Sequence, residues 1–227
     1  MTTVTITQSN YLPWRGYFSQ IVNSEFFVFL DNVQFTTRDW RTRNRIRTPQ
    51  GYEWLNIPIL KPESRFEKIE NIKILNQNFL GNHLETIRRN YSRAKHFDPN
   101  WEELSYLLYE SYDEKLSIFN QRVIKGISKK FSINCQFLNA NQFRDSSDPT
   151  QRLLNICLEL KATRYLTGAK ARDYLDIAKF FAKGIEIVWA DFEMKNYPQM
   201  WERKFDSNVS VIDLILNVGF KSEYLKP

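Results

Sequence analysis

Phe26-Phe27-Val28-Phe29-Leu30-Asp31-Asn32 is the stretch whose reading decides the fold. Its five apolar residues have the length of a strand and no polar alternation. Such a run suits a strand covered on both faces, as in a parallel sheet flanked by helices. Upstream, Val4 to Thr7 alternates β-branched residues and predicts a first strand. Between them, Tyr11-Leu12-Pro13 is a turn and Gly16 to Asn23 a short helix. Strand, helix, strand is the opening of an α/β unit.

Working outward, Trp54 to Leu60 predicts a third strand after a polar loop. From about 79 to 132 the pattern is helical. Leu80, Leu84, Ile87 and Tyr91 recur at helical spacing, as do Leu104, Leu107 and Leu108. Asp98-Pro99-Asn100 is a helix start, and Leu116 to Phe131 a further helix. Asn134 to Leu138, Thr163 to Thr167 and Ile185 to Trp189 predict strands. Asp148-Pro149 opens one helix, and Asn208 to Val218 is another that stops at Gly219. The reading is one α/β domain over 1–227: a Rossmann-like, mostly parallel sheet with a helical insertion at about 79–132.

Composition narrows the function. The chain has 227 residues and a net charge of +6, which permits phosphate, nucleic-acid or anionic-sugar partners. Aromatics are 15% of the chain and Gly only 7 residues, which excludes a disordered or collagenous protein. Two cysteines, Cys135 and Cys157, make no disulfide framework. No basic segment precedes an apolar one at the start. The longest apolar run falls far short of the ~20 residues that span a bilayer. These features predict a cytoplasmic protein with no membrane partner.

Three segments carry the chemistry. Gln8-Ser9-Asn10-Tyr11-Leu12-Pro13-Trp14-Arg15-Gly16-Tyr17-Phe18 lies at the carboxyl end of the first strand, where open α/β sheets bind ligands. Gly16 permits close backbone approach, and the helix start offers N–H groups to an anion. The alternative is a turn whose Tyr11, Trp14 and Phe18 pack the core. Asp31-Asn32-Val33-Gln34-Phe35 follows the apolar strand at the same edge. Asp31 there can hold an amine or take a proton, or simply cap a turn. Arg38-Asp39-Trp40-Arg41-Thr42-Arg43-Asn44-Arg45-Ile46-Arg47 holds five Arg in ten residues. Alternation puts several guanidiniums on one side of an extended segment, a pyrophosphate clamp rather than a solvated basic loop.

Other constellations are absent. There is no GxxxxGK[ST], GxGxxG or GxSxG. His83 and His96 are the only histidines, so no metal site is predicted. His96 is a candidate general base, or a partly exposed structural histidine. Gly168 ends a strand at the functional edge, and Tyr197 and Gln199 sit in a loop. Asp213, one turn into the last helix, faces the site or serves a cap or ion pair.

The Gln8-to-Phe18 stretch, Asp31-Asn32-Val33-Gln34-Phe35 and Arg43-Asn44-Arg45-Ile46 together resemble the WbqC-like family. So do Tyr165-Leu166-Thr167-Gly168 with Tyr174-Leu175, Tyr197-Pro198-Gln199, and Ser210-Val211-Ile212-Asp213-Leu214. The resemblance runs from about Thr3 to Gly219. Ser9 stands where the family usually has proline and Thr7 where histidine is common. Family members accompany bacterial surface-polysaccharide and amino-sugar biosynthesis, which implies a nucleotide-linked sugar or related amine as substrate. The opening also looks like that of nucleotidyltransferases and pantothenate synthetase, whose HxGH motif would fall at Trp14-Arg15-Gly16-Tyr17. Gly16 is kept and both histidines are replaced, so ATP-dependent adenylation is disfavoured and only the architecture carries over.

Family context and this residue mixture suggest aminoacyl or acyl transfer to the amine of a nucleotide-linked amino sugar. Arg38, Arg43 and Arg45 would hold phosphates. Gln8, Asn10 and Gln34 would bind hydroxyls. Trp14, Tyr17 and Trp40 would stack on a base or sugar ring, Tyr11 and Asn44 are further candidate binding residues, and Asp31 would orient or deprotonate the amine. The donor would be carried by transfer RNA or another carrier. Competing readings are a nucleotidyl- or adenylyl-transferase of the same fold, and a non-catalytic sugar-nucleotide or nucleic-acid binding protein.

Overall fold

The structure, a computed structural model, describes residues 1–191, 193–201 and 204–226. Strand β1 (Thr3–Thr7), helix α1 (Arg15–Val22) and strand β2 (Phe26–Phe29) form the opening unit. A hairpin of β3 (Arg43–Thr48) and β4 (Gly51–Asn56) follows. Helices α2 (Asn78–Tyr91), α3 (Phe97–Glu110) and α4 (Leu116–Lys130) come next. The chain then runs through β5 (Gln136–Asn139), α5 (Pro149–Glu159), β6 (Arg164–Thr167), α6 (Ile177–Phe181), β7 (Glu186–Trp189) and α7 (Val211–Val218).

Five strands make one sheet in the order β5-β2-β1-β6-β7, with every pairing parallel. This is the α/β, Rossmann-like architecture. The apolar run explains why it closes. Phe27 and Phe29 point into a core shared with α1, α2, α4 and α7, whereas Phe26, Val28 and Leu30 face a second core with α5 and α6. Each fully buried Phe contributes about 1.5–3 kcal/mol over an exposed one. Phe29 stacks on Phe137 of β5 at 5.7 Å.

One strand differs from expectation. The predicted Trp54–Leu60 strand is β4, which starts earlier and pairs antiparallel with β3, outside the main sheet. The Arg38–Arg47 segment supplies its partner, because alternation in Arg43-Asn44-Arg45-Ile46 buries Asn44 and Ile46.

Caps set the later helices. Asp148 accepts from the Thr150 and Gln151 amides, and Ser210 from Ile212. Gly219, at φ 84°, ends α7 in a conformation that only glycine adopts cheaply. Among the described residues, no helix is long and apolar enough to cross a membrane.

Tyr11 and His83 show how polar groups are accommodated in the larger core. His83 Nε2 faces the Asn56 carbonyl at 3.2 Å, and a carbonyl only accepts, so Nε2 carries the proton. Nδ1 then accepts from the Tyr11 hydroxyl at 2.8 Å. Burial pushes the His83 pKa down from 6.5 to about 4. A folded value below the unfolded one gives stability that is present above pH 6.5 and lost as pH falls through 4. The loss attributable to this residue by pH 4 is about 3 kcal/mol. Urea unfolding of the wild type and His83→Gln at pH 7 and pH 4 checks it. The variant, whose amide can serve both partners, is expected to lose less stability over that range.

Candidate functional site

In the sheet order, β1 leads to β2 on one side, and the chain later returns to β6 on the other. The switch point therefore lies between β1 and β6. Ligands of open α/β sheets bind outside the carboxyl ends of the strands at such a point. Three pieces of chain meet beside it.

The first is the turn Gln8–Trp14. Its Leu12 holds φ 39°, a conformation unfavourable for a residue with a Cβ. Buried Asn44 holds it there. Asn44 Nδ2 donates to the Leu12 and Tyr11 carbonyls at 2.7 and 3.2 Å, while its Oδ1 accepts from the Arg45 amide at 2.8 Å. The Tyr11 amide donates to the Trp40 carbonyl at 2.9 Å, bringing Trp40 to the same place.

The second is the β3–β4 hairpin. Arg45 is paired opposite Trp54. The Arg43 guanidinium lies over the Trp54 ring at 4.6 Å, and that of Arg45 over Tyr52 at 4.2 Å. Trp40 and Trp54 have ring centres 5.8 Å apart. The third piece comprises Lys170, beyond β6, and Asn208, before α7. Arg45 Nε donates to the Asn208 carbonyl at 3.1 Å, and Arg45 pairs with Asp206 at 3.3 Å.

Together they enclose a cleft of about 550 Å³. Its walls are Trp14, Trp40 and Trp54 with Pro13, the cations Arg45 and Lys170, and Asn10, Asn44 and Asn208. The three indoles are 38%, 42% and 40% exposed, so each leaves a substantial surface open. Among the described residues lining the cleft, none carries a carboxylate or an imidazole. Such a wall stacks on planar or sugar rings and attracts anions. Among the described residues, no group of His, Cys, Asp and Glu gathers as a metal ion would require.

The WbqC-like protein family model matches residues 8–224, a span that includes every residue lining this cleft. The chain belongs to the WbqC-like family. An uncharacterized protein of Mycobacterium tuberculosis is 35% identical over 228 residues, spanning 100% of this chain and 98% of the relative. No solved structure matches.

In this WbqC-like chain the predicted site residues divide. Asn10, Trp14, Trp40, Asn44 and Arg45 come together in the cleft, with the Arg43 guanidinium over the Trp54 ring. Pro13, Trp54, Lys170 and Asn208 join them without having been singled out. Trp54 reads as an ordinary strand residue, and nothing local marks the other three.

The remaining candidates require correction. Tyr11 is fully buried, its hydroxyl committed to His83, so it offers no group to a ligand in the cleft. Tyr17 is buried and donates to the Gln8 carbonyl at 3.0 Å. Gln34 donates to the Arg65 carbonyl and, like exposed Arg38, lies outside the cleft lining. Gly168 ends β6 without lining the cleft.

Tyr197, Gln199 and Asp213 form a buried network. Asp213 accepts from Tyr91 at 2.7 Å and from Tyr197 and Gln199 at 2.8 Å each. Burial pushes the Asp213 pKa up, and those three donors oppose it. Asp31 is also buried, accepting from the Ser9 amide and from Gln121 at 2.8 Å each. Burial raises its pKa too. Asp31 borders a different hollow, and His96 a third. Neither carboxylate nor imidazole faces the indoles.

Gly16 has a role other than cradling phosphate. A Cβ built on it would fall 2.2–2.5 Å from the Trp14 indole. The glycine is the seat on which that indole lies, and the ring covers the start of α1. Gly16→Ala is expected to displace Trp14 and cost about 1–3 kcal/mol, the range for overpacking a filled site. Urea unfolding and acrylamide quenching of tryptophan fluorescence check this, with quenching expected to rise.

Proposed function

We propose that the cleft binds a nucleotide-linked amino sugar and that the chain transfers an acyl or aminoacyl group to the sugar's amine. The observation that carries this reading is the lining itself: three part-open indoles beside Arg45 and Lys170, with no carboxylate among the described lining residues. Indoles offer faces to a base or sugar ring. Arg45 and Lys170 offer charge to a pyrophosphate. Asn10 and Asn208 offer amide groups to hydroxyls. The family's association with surface-polysaccharide biosynthesis supports the same substrate class.

The chemistry needs little from the protein beyond placement. A neutral amine attacks the carbonyl carbon of a donor ester or thioester. The C–N bond forms, the C–O or C–S bond breaks, and the departing oxygen or sulfur takes the proton that nitrogen loses. Holding amine and carbonyl together supplies much of the rate enhancement in such a step. This role suits a cleft whose described lining residues carry neither carboxylate nor imidazole, and the donor's carrier is a transfer RNA or another acyl carrier.

Adenylyl transfer is the weaker reading. The opening strand, turn and helix support a nucleotidyltransferase-like architecture. Trp14 and Tyr17 stand where that chemistry has histidines, and the Trp14 indole covers Gly16. A protein that only binds sugar nucleotides would have the same cleft but no turnover.

The test incubates the protein with nucleotide-linked amino sugars and a panel of acyl and aminoacyl donors, followed by mass spectrometry. An amide-forming mass gain on the sugar is expected. Trp54→Ala is expected to weaken nucleotide-sugar binding about tenfold, within the 1–3 kcal/mol of a base–aromatic stack. Tight sugar binding without mass gain for any donor removes the transferase reading. Wild-type affinity in Trp54→Ala removes the cleft.

A further inference from the structure

The two outer strands of the main sheet, β5 and β7, end it differently. Strand β7 pairs with β6 alone. The Glu186 amide donates to the Thr163 carbonyl at 3.0 Å, and the Ala190 amide to that of Thr167 at 2.8 Å. Alternate residues of a parallel strand bond the same neighbour, so Ile187 and Trp189 turn their backbone groups outward. Among the described residues, the Ile187 N–H and C=O, the Trp189 N–H and the Ile185 C=O have no hydrogen-bond partner. On β5 the outward amide of Asn139 is closed by Gln142 Oε1 at 3.1 Å.

Exposed edges are commonly blunted by Lys, Pro or a bulge. Glu186-Ile187-Val188-Trp189 contains neither Lys nor Pro, and its register on β6 is unbroken. Three of its four residues favour strands. Helix α6 packs on β7 and leads directly into it. It leaves Ile177 and Phe181 exposed on one stripe, Phe181 at 83%. Four residues make a short ladder, so the side chains beyond its ends carry weight. Those are Lys183 and Asp191, both exposed and both without an ion pair among the described residues.

This edge is complementary to itself. A two-fold axis at Ile187 lets two copies of β7 lie antiparallel. Each Ile187 then exchanges both backbone bonds with its counterpart, and each Trp189 amide meets the Ile185 carbonyl of the other copy. These four bonds use only groups that are free in the single chain. The same register sets Lys183 of one copy opposite Asp191 of the other, and the axis repeats that pair. We propose that the chain forms a two-fold dimer by pairing of β7 with β7, joining two five-stranded sheets into one. A second copy suits the edge better than a foreign strand, because one axis satisfies both the backbone groups and the end charges. This inference does not depend on what the indole cleft binds.

Sedimentation equilibrium of the full chain tests this, with a monomer–dimer Kd expected below about 100 μM. Lys183→Glu and Asp191→Lys, at exposed positions, each turn two attractions into repulsions. Each is expected to weaken the dimer about tenfold while the monomer stays folded. The double variant Lys183→Glu/Asp191→Lys restores both pairs and should dimerise like wild type. Residue-resolved hydrogen exchange reads the backbone. The Ile187 and Trp189 amides should be protected where the dimer forms and lose protection on dilution. The Glu186 and Ala190 amides, bonded within the chain, should stay protected in both conditions. The inference is overturned if the chain is monomeric at about 100 μM. It is equally overturned if the single variants dimerise like wild type, if the double variant is as weak as either single one, or if the Ile187 and Trp189 amides exchange freely in the dimer.

Discussion

The amino-terminal turn of α7 holds the cleft together. All eight residues of that helix are buried, and its first turn reaches three other elements. The Ser210 amide donates to the Arg45 carbonyl at 2.9 Å, and the Val211 amide to that of Pro13 at 2.9 Å. The Asp213 carboxylate gathers Tyr91, Tyr197 and Gln199, and Gln199 in turn accepts from Arg47. A carboxylate this deep is tolerated only because donors surround it, and removing any of them leaves a charge poorly compensated. The cleft's turn, its hairpin and the loop carrying Asn208 are thus fixed to one buried helix end.

That attachment explains why the cleft stands preformed. Asn44 restrains Leu12 in its left-handed conformation, Gly16 seats the Trp14 ring, and the Arg43 guanidinium lies against Trp54. Trp14 and Trp54 each rest against a neighbouring group, and all three indoles keep part of their surface open. Side chains whose rotamers are settled before binding lose less freedom when a ligand arrives.

The arginines and aromatics illustrate how one residue type is used in different ways. Arg41 pairs with Asp39, and Arg47 is buried against Gln199 and the Trp201 carbonyl. Arg43 and Arg45 lie over aromatic rings instead. A run that reads as one clamp is therefore distributed among core, ion pair and cleft. Likewise Phe26, Phe27, Val28 and Phe29 fill two cores, while Trp14, Trp40 and Trp54 form a surface.

The α/β class was legible in the residues alone, because an apolar run without alternation suits a strand buried on both faces, and Phe26–Phe29 is such a strand. The strand-end location of the first candidate segment was legible too, since polar turns follow apolar strands at that edge. Asn10 and Trp14 could be named for that reason, and Trp40, Asn44 and Arg45 from the alternating arginine segment. The roles of Tyr11, Tyr197 and Asp213 could not, because an aromatic or carboxylate beside polar residues looks the same whether it turns toward solvent or toward a buried partner. Trp54, Lys170 and Asn208 reach the cleft from three distant parts of the chain, and no local pattern records that meeting. Local sequence determines period and strand ends through backbone geometry. Which side chains share a cleft was decided only when the hairpin packed against α7, because that contact is made across more than 150 residues, by hydrogen bonds such as Ser210 to Arg45.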